Sequence, residues 1–229
     1  TICLSLALLT VSTADVLGLT SNTAQAAEEK RRVLKARQMD KTNINEEYRK
    51  AAEAKRLESI NFLKDLLEKG ETTGPRKAEM MLRLADLYFE QGRSIFLREM
   101  GQYDEEYEKC FNTEGCSNDN MEPDNSKSSN WQERSIRLYD LILRNYPRYK
   151  RADEATFYLG MALADLGRTE ESVKKFTTLV KTYPDSSFVP DSFVNIGEYY
   201  FEHNSAMKAL AAYKKASEFH NSEAFLRLG

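Results

Sequence analysis

A repeat of 37 residues is the feature of this 229-residue sequence that most constrains its fold. Pairs of identical or similar residues recur at this spacing: Tyr146-Pro147 and Tyr183-Pro184, Leu159-Gly160 and Ile196-Gly197, Ser172 and Ala209, and Phe176 and Tyr213. Several pairs at one spacing indicate a repeated structural unit, and a period of this length is typical of a helix pair. The period therefore predicts helix pairs stacked along the chain.

Each period contains two amphipathic helical patterns. In the first pattern, apolar residues recur three and four positions apart at Ala155, Tyr158, Leu159, Ala162, Leu163 and Leu166. Gly167 follows this pattern, as a glycine does where a helix ends. The second pattern runs from Val173 to Val180 and ends before Pro184. Because a lone helix pair cannot bury both apolar stripes, neighbouring pairs must stack.

These positions resemble the tetratricopeptide repeat. That family places its large, small and turn residues where this sequence has Leu159, Gly160, Leu163, Ser172, Phe176, Leu179 and Pro184. The resemblance covers about residues 75–229 and implies an all-α, right-handed helical solenoid. The longer period looks like that of periplasmic repeat proteins of Gram-negative bacteria, including outer-membrane assembly lipoproteins, cell-division and envelope coordinators, and gliding-motility proteins. The family is defined by packing positions, so the resemblance indicates a fold rather than one function.

The first 26 residues predict a secretory signal peptide. The apolar run Ile2–Val11 is followed by the small residues of Ala24-Gln25-Ala26, which predicts cleavage after Ala26. An uncleaved membrane anchor is the alternative, although Asp15 would be costly in a spanning helix. We therefore expect a periplasmic or otherwise exported protein of the cell envelope. We also expect the sequence to be a fragment, because it starts without Met and ends within a patterned segment.

Residues 27–74 predict a charged helical leader, and residues 93–130 predict an insertion in the first repeat. The leader would cap the repeats or form a short coiled coil, and its few heptads favour the cap. Within the insertion, one helical stripe is formed by Phe96, Met100, Tyr103, Tyr107 and Phe111. The helix before it should therefore continue past Gly101, and residues 112–130 should form a polar loop.

The sequence carries no catalytic motif and no metal-ligand spacing. A P-loop, a GxGxxG motif and a GxSxG motif are all missing, and His203 and His220 have no suitably spaced Cys or His partner. We therefore expect no enzyme activity, no cofactor, no metal and no small-molecule substrate. A net charge of -3 also disfavours nucleic acid as a partner. Cys110 and Cys116 are the cysteines left after signal cleavage and predict a disulfide in an exported protein.

The candidate partner-binding groove lies on the first helix of each pair. Members of the family bind peptides at certain positions there, and the resemblance places those positions at Glu79, Leu82, Asp86, Phe89 and Glu90, at Glu154, Phe157, Met161 and Asp165, and at Asp191, Val194, Glu198, Phe201 and Glu202. Acidic residues alternate with apolar ones, without the lysines that would grip a C-terminal carboxylate. A basic, amphipathic peptide or helix would be complementary. The alternative is that the aromatic residues pack against neighbouring repeats while the acids keep the surface soluble.

The leading functional hypothesis is a non-catalytic scaffold of the bacterial cell envelope that binds partner proteins or peptides. A second hypothesis is a repeat module attached to a catalytic domain beyond Gly229. A third, a cytoplasmic assembly factor, is incompatible with cleavage at Ala26.

Overall fold

The computed structural model describes residues 46–70, 72–117 and 121–228, with side chains as far as residue 219. The predicted signal, 1–26, and the first part of the predicted leader, 27–45, lie outside the described residues. Within the described ranges all regular secondary structure is helical. The same ranges contain no helix that is both long and apolar enough to cross a membrane.

The described helices are α1 (46–68), α2 (Gly74–Phe111), α3 (Ser126–Asn145), α4 (Ala152–Asp165), α5 (Thr169–Thr182), α6 (Val189–Glu202) and α7 (Ala206–Leu228). From α2 onward, each helix packs against the next one in the sequence. The helix pairs are thus α2 with α3, α4 with α5, and α6 with α7, as the period predicts. This arrangement is an all-α helical solenoid, and the predicted fold class is confirmed.

Contacts divide the chain after Ala54 into two units. In the first unit the described residues, 46–54, are mostly exposed, and Glu46 pairs with Arg49 and Lys50 one turn along the helix. In the second unit, residues 55–68 of α1 bury Ile60 and Leu63 against Leu84 and Tyr88 of α2. This part of the leader therefore packs on the first repeat, which is the cap arrangement.

The turns after α4 and α6 repeat the period in their backbone hydrogen bonds. Gly167 has φ of 71° and Asn204, 37 residues later, has φ of 54°. In both turns this left-handed residue donates its N–H to the carbonyl three residues earlier, and the next residue donates to the carbonyl five residues earlier. These two hydrogen bonds satisfy two backbone carbonyls at the end of each helix. Asn, which tolerates the left-handed region, replaces Gly in the second turn.

Two glycines let the helices of a pair approach closely. A methyl group added to Gly160 would lie 2.8 Å from Phe176 Cε1, and one added to Gly197 would lie 2.4 Å from Tyr213 Cε1. Phe176 and Tyr213 therefore occupy equivalent positions, as the period predicts. The two rings are not equally buried, because Phe176 is 1% exposed whereas Tyr213 is only half-buried. Burial raises the pKa of Tyr213, and the nearby Glu198 carboxylate adds to this shift.

The insertion is more helical than the sequence predicts. Helix α2 runs on to Phe111, so the predicted continuation past Gly101 is correct. The polar loop is shorter than the predicted 112–130, because α3 already begins at Ser126. The first turns of α3 are held by packing, since Ser128 is 3% exposed and the ring centroids of Trp131 and Tyr88 lie 5.6 Å apart.

A disulfide joins the end of α2 to the loop that follows. Cys110 is bonded to Cys116, with their Cα atoms 5.4 Å apart. Along the same part of α2 the predicted aromatic stripe stays largely uncovered, and Phe111 is 76% exposed. Tyr103 is the stripe residue that contacts the loop, because its hydroxyl donates to the Met121 carbonyl at 3.2 Å.

Candidate partner-binding surface

The predicted groove positions fall on α2, α4 and α6, the first helix of each pair, but the three helices present them differently. On α2 and α4 most of the acids are bound by other residues of this chain. On the same two helices the predicted aromatic anchors are buried. On α6 the positions remain accessible.

Glu79 and Glu154 are joined through one arginine. Arg151, just before α4, donates to Glu79 Oε1 at 2.5 Å and to both carboxylate oxygens of Glu154 at 2.6 Å. The Tyr149 hydroxyl donates to Glu79 Oε2 at 2.6 Å, and this bond is the main cause that lowers the Glu79 pKa. The groove positions alone do not predict this cluster, because Arg151 is not one of them. The spacing of Arg151 and Glu154, which is typical of a helical ion pair, was the available signal.

Asp86 belongs to the seam between α2 and α3. Its Oδ1 accepts a hydrogen bond of 2.8 Å from the hydroxyl of Tyr139, a residue with no exposed surface. Burial raises the pKa of Asp86 to about 6, against the opposing effect of the Tyr139 hydrogen bond. Because a buried carboxylate is costly, this residue is poorly suited to attract a partner from solution.

Phe89 and Phe157 are not the exposed anchors that the groove hypothesis requires. Phe89 is 5% exposed and its ring centroid lies 5.7 Å from that of Tyr158. Phe157 is 8% exposed and stacks on Phe188 at 4.8 Å. The expectation that these two rings are free to hold a partner is therefore wrong. The next helix pair covers them, which is the alternative that the sequence left open.

Asp165, at the end of α4, is also held within the chain. It lies 3.6 Å from Arg93 Nε and accepts a hydrogen bond of 3.2 Å from Gln132 Nε2. Burial raises its pKa, and the positive charge of Arg93 opposes that shift. Met161, one turn earlier, is half-buried between two clusters of core residues. Both side chains therefore already make contacts within the chain and are poor candidates for binding a partner.

The α6 face is the part of the predicted groove that stays accessible. We use this name for Asp191, Val194, Glu198, Phe201 and Glu202. Phe201 is 66% exposed and Val194 is 38% exposed. Among the described residues, no ion pair includes any of the three acids, and Glu198 lies near enough to Tyr213 to raise the pKa of that tyrosine. The five positions recur at helical spacing and therefore share one side of α6.

In the described ranges, no group of three or more His, Cys, Asp or Glu side chains lies close enough to hold a metal. His203 stacks on Tyr199 with ring centroids 4.1 Å apart, and its Nδ1 lies 2.7 Å from the Tyr199 carbonyl oxygen. Local contacts within the helix thus account for the position of this histidine. The side chain of His220 lies outside the described residues.

The comparisons with known proteins agree with the repeat geometry. The family model described as "Tetratricopeptide repeat" matches residues 154–186, which cover α4, α5 and the turns around them. With the helix pairs and their period, this match makes the fold a helical solenoid of the tetratricopeptide type. A search of curated proteins found no match to the sequence.

Several solved structures are similar to this chain at low identity. MamA is 15% identical, with 72% of this chain and 88% of that chain covered and a TM-score of 0.39. MamA from Desulfovibrio magneticus RS-1 is 12% identical, with 73% and 96% covered and a TM-score of 0.35. BtubC from P. vanneervenii is 16% identical, with 72% and 70% covered and a TM-score of 0.36. At these values the likeness carries no argument about function.

Proposed function

We propose that this protein is a non-catalytic scaffold that binds a basic, amphipathic segment of a partner protein on the α6 face. The observation that carries the proposal is the accessibility of this face among the residues whose side chains the structure describes. It presents apolar side chains beside carboxylates that are not engaged in ion pairs within the described chain. The equivalent positions on α2 and α4 are buried or paired, so they stabilise the solenoid instead.

The chemistry of the α6 face favours a helix or extended segment with an apolar and a basic side. Phe201 and Val194 would contact the apolar side, and a large exposed ring is the kind of residue that dominates interface energies. Asp191 and Glu202 would attract lysine or arginine residues at its edge. Exposed charges of this kind mainly accelerate association and set its salt dependence.

We further propose that the protein acts in the cell envelope after export. The apolar N-terminal run and the Ala24-Gln25-Ala26 pattern support cleavage and export. The Cys110–Cys116 disulfide also supports this location, since such bonds persist in oxidising compartments. Fractionation followed by intact-mass measurement tests the location. A mature chain that begins at Ala27 in the periplasmic fraction is expected, and an uncleaved chain in the cytoplasm would contradict the proposal.

The binding test compares Phe201→Ala with Phe111→Ala, a second ring that is highly exposed but lies on α2. Partners are captured from envelope extract with the unaltered protein and identified by mass spectrometry. The purified partner is then measured for binding kinetics. We expect Phe201→Ala to weaken binding by about 2 kcal/mol, mainly through faster dissociation. Phe111→Ala should bind like the unaltered protein.

The electrostatic part is tested with Asp191→Lys and Glu202→Lys together. The matched control, Glu105→Lys with Glu106→Lys, makes the same charge change at exposed positions of α2. The first pair should slow association and reduce its salt dependence, and the control pair should do so much less. Equal binding by the Phe201→Ala, Phe111→Ala and both double-lysine variants would refute the assignment of the α6 face.

A further inference from the structure

A cavity of about 750 Å³ lies where the start of α2 meets the turn between α3 and α4. Its accessible apolar lining comes from Pro75 of α2 and from Tyr146 and Pro147 of the turn. None of these apolar residues belongs to the predicted groove, whereas Glu79, which also lines the cavity, does. The volume is sufficient for one or two large apolar side chains, since ligand pockets in proteins occupy several hundred cubic ångströms.

The rim of this cavity is positively charged. Arg76, Arg148 and Lys150 line it and are exposed, and no ion pair among the described residues includes any of them. Glu79 is the acidic residue of the lining, and its two oxygens are bound by Tyr149 and Arg151. The rim therefore carries positive charge that the chain itself does not neutralise.

The next repeat offers an internal comparison. At its corresponding junction, the Ser186 hydroxyl donates to Asp153 Oδ2 at 2.6 Å and bridges the turn to the helix. In the first repeat, Ala78 and Tyr149 take the places of Asp153 and Ser186, and the turn is joined to α2 instead by the Tyr149 hydroxyl, which donates to Glu79. Asp185 takes the place of Arg148. The positive charge at Arg148 and Lys150 is therefore particular to the first repeat, since Asp185 and Ser187 stand at the corresponding positions of the next repeat.

We propose that this cavity binds an acidic segment of a partner protein, with one apolar side chain of the segment inserted against Pro75 and Tyr146. Carboxylates on either side of that anchor pair with Arg148 and Lys150. A concave site with an apolar floor suits a side chain better than a flat anionic membrane, which would contact only the rim. The charge of this ligand is opposite to that proposed for the α6 face, so the two surfaces are separable by experiment.

The test uses the mature chain and three synthetic peptides. The first peptide has a central Leu flanked by Glu residues, the second replaces Glu with Gln, and the third replaces Leu with Ser. Binding is followed by NMR through the amide shifts of residues 76–79, 145–146 and 148–150. We expect saturable shifts there with the first peptide, and weaker binding of the other two by about tenfold, because each lacks one of the two contributions.

The protein variants locate the site. Arg148→Glu with Lys150→Glu should weaken binding of the first peptide by at least about tenfold, since attraction at the rim becomes repulsion. Lys174→Glu with Lys181→Glu makes the same charge change at exposed positions of α5 and should leave the affinity within about twofold. Circular dichroism checks that both variants keep the helical fold.

Several outcomes would overturn the proposal. One is the absence of saturable shifts at up to about 1 mM peptide, the weak limit for specific recognition. Another is equal binding of the Glu and Gln peptides, or equal weakening by both double variants. Self-association that the Arg148→Glu and Lys150→Glu pair abolishes, without peptide binding, would assign the cavity to a second copy. Binding to anionic vesicles alone would assign it to a membrane.

Discussion

Replacing Gly160 with alanine tests how closely α4 packs against α5. The added methyl would lie 2.8 Å from Cε1 and 2.9 Å from Cζ of Phe176. Phe176 is 1% exposed and its ring centroid lies 5.7 Å from that of Phe157, so the ring has little room to move away. The substitution therefore forces a rearrangement of packed side chains.

Two opposing contributions determine the expected change in the free energy of unfolding. In a helix interior alanine is favoured over glycine by about 1 kcal/mol. Overpacking a core typically costs about 1–3 kcal/mol, and a contact below 3 Å against a buried ring belongs at the upper end of that range. The net expectation for Gly160→Ala is a destabilisation of about 1–2 kcal/mol. Gly101→Ala, which has no neighbouring atom within 4 Å of the added methyl, should instead stabilise α2 by up to about 1 kcal/mol.

The assay is urea unfolding followed by circular dichroism for the two single variants. Phe176→Leu and the double variant Gly160→Ala/Phe176→Leu complete a cycle, and relief of the overlap should make the double variant more stable than the sum of its parts. Stabilisation of Gly160→Ala equal to that of Gly101→Ala would refute the reasoning. It would mean that α4 and α5 do not approach at Gly160 as closely as the geometry requires.

Three further predictions concern single positions. Asp86→Asn should stabilise the protein at neutral pH by roughly 1–3 kcal/mol. Because burial raises the Asp86 pKa from 3.8 to about 6, its contribution to stability is lost as the pH rises through that range, and urea unfolding of the Asn variant should lack this dependence. Replacing Cys110 and Cys116 by serine should lower the local stability of this segment by about 2 kcal/mol in the chain-entropy model. The expected sign is faster amide hydrogen exchange in residues 107–117, and unchanged exchange would contradict this prediction. Gly167 has φ of 71°, so Gly167→Ala should lower the free energy of unfolding by about 1–2 kcal/mol, measured by thermal or urea unfolding. An unchanged free energy of unfolding would contradict the idea that alanine is strained in this turn.

The helix pairs could be predicted from the sequence because the information for them is local and repeated. Tyr139, Phe176 and Tyr213 follow one another at the period of 37 and face the first helix of their own pair. The turn residues Gly167 and Asn204 follow the same spacing, and each has the left-handed conformation that its type tolerates. Hydrophobic spacing and turn-forming residues depend only on residues that are close in sequence, so they can be recognised without knowing the tertiary structure.

The accessibility of the groove could not be predicted in the same way. The helical pattern places Phe157 and Phe201 on the same side of their helices, yet only the structure reveals that Phe188 covers Phe157 while Phe201 stays 66% exposed. A helical pattern defines a face but not the residues that pack against it.

The charge of the groove was likewise decided by tertiary structure. The sequence shows a column of acids, but Glu79 is neutralised by Arg151, which lies 72 residues further along the chain. Asp86 is buried beside Tyr139, 53 residues away. The cavity beside Arg148 is formed where two separate segments meet. Stacking brings such distant residues together, and the free energy of each depends on its neighbours in space rather than in sequence.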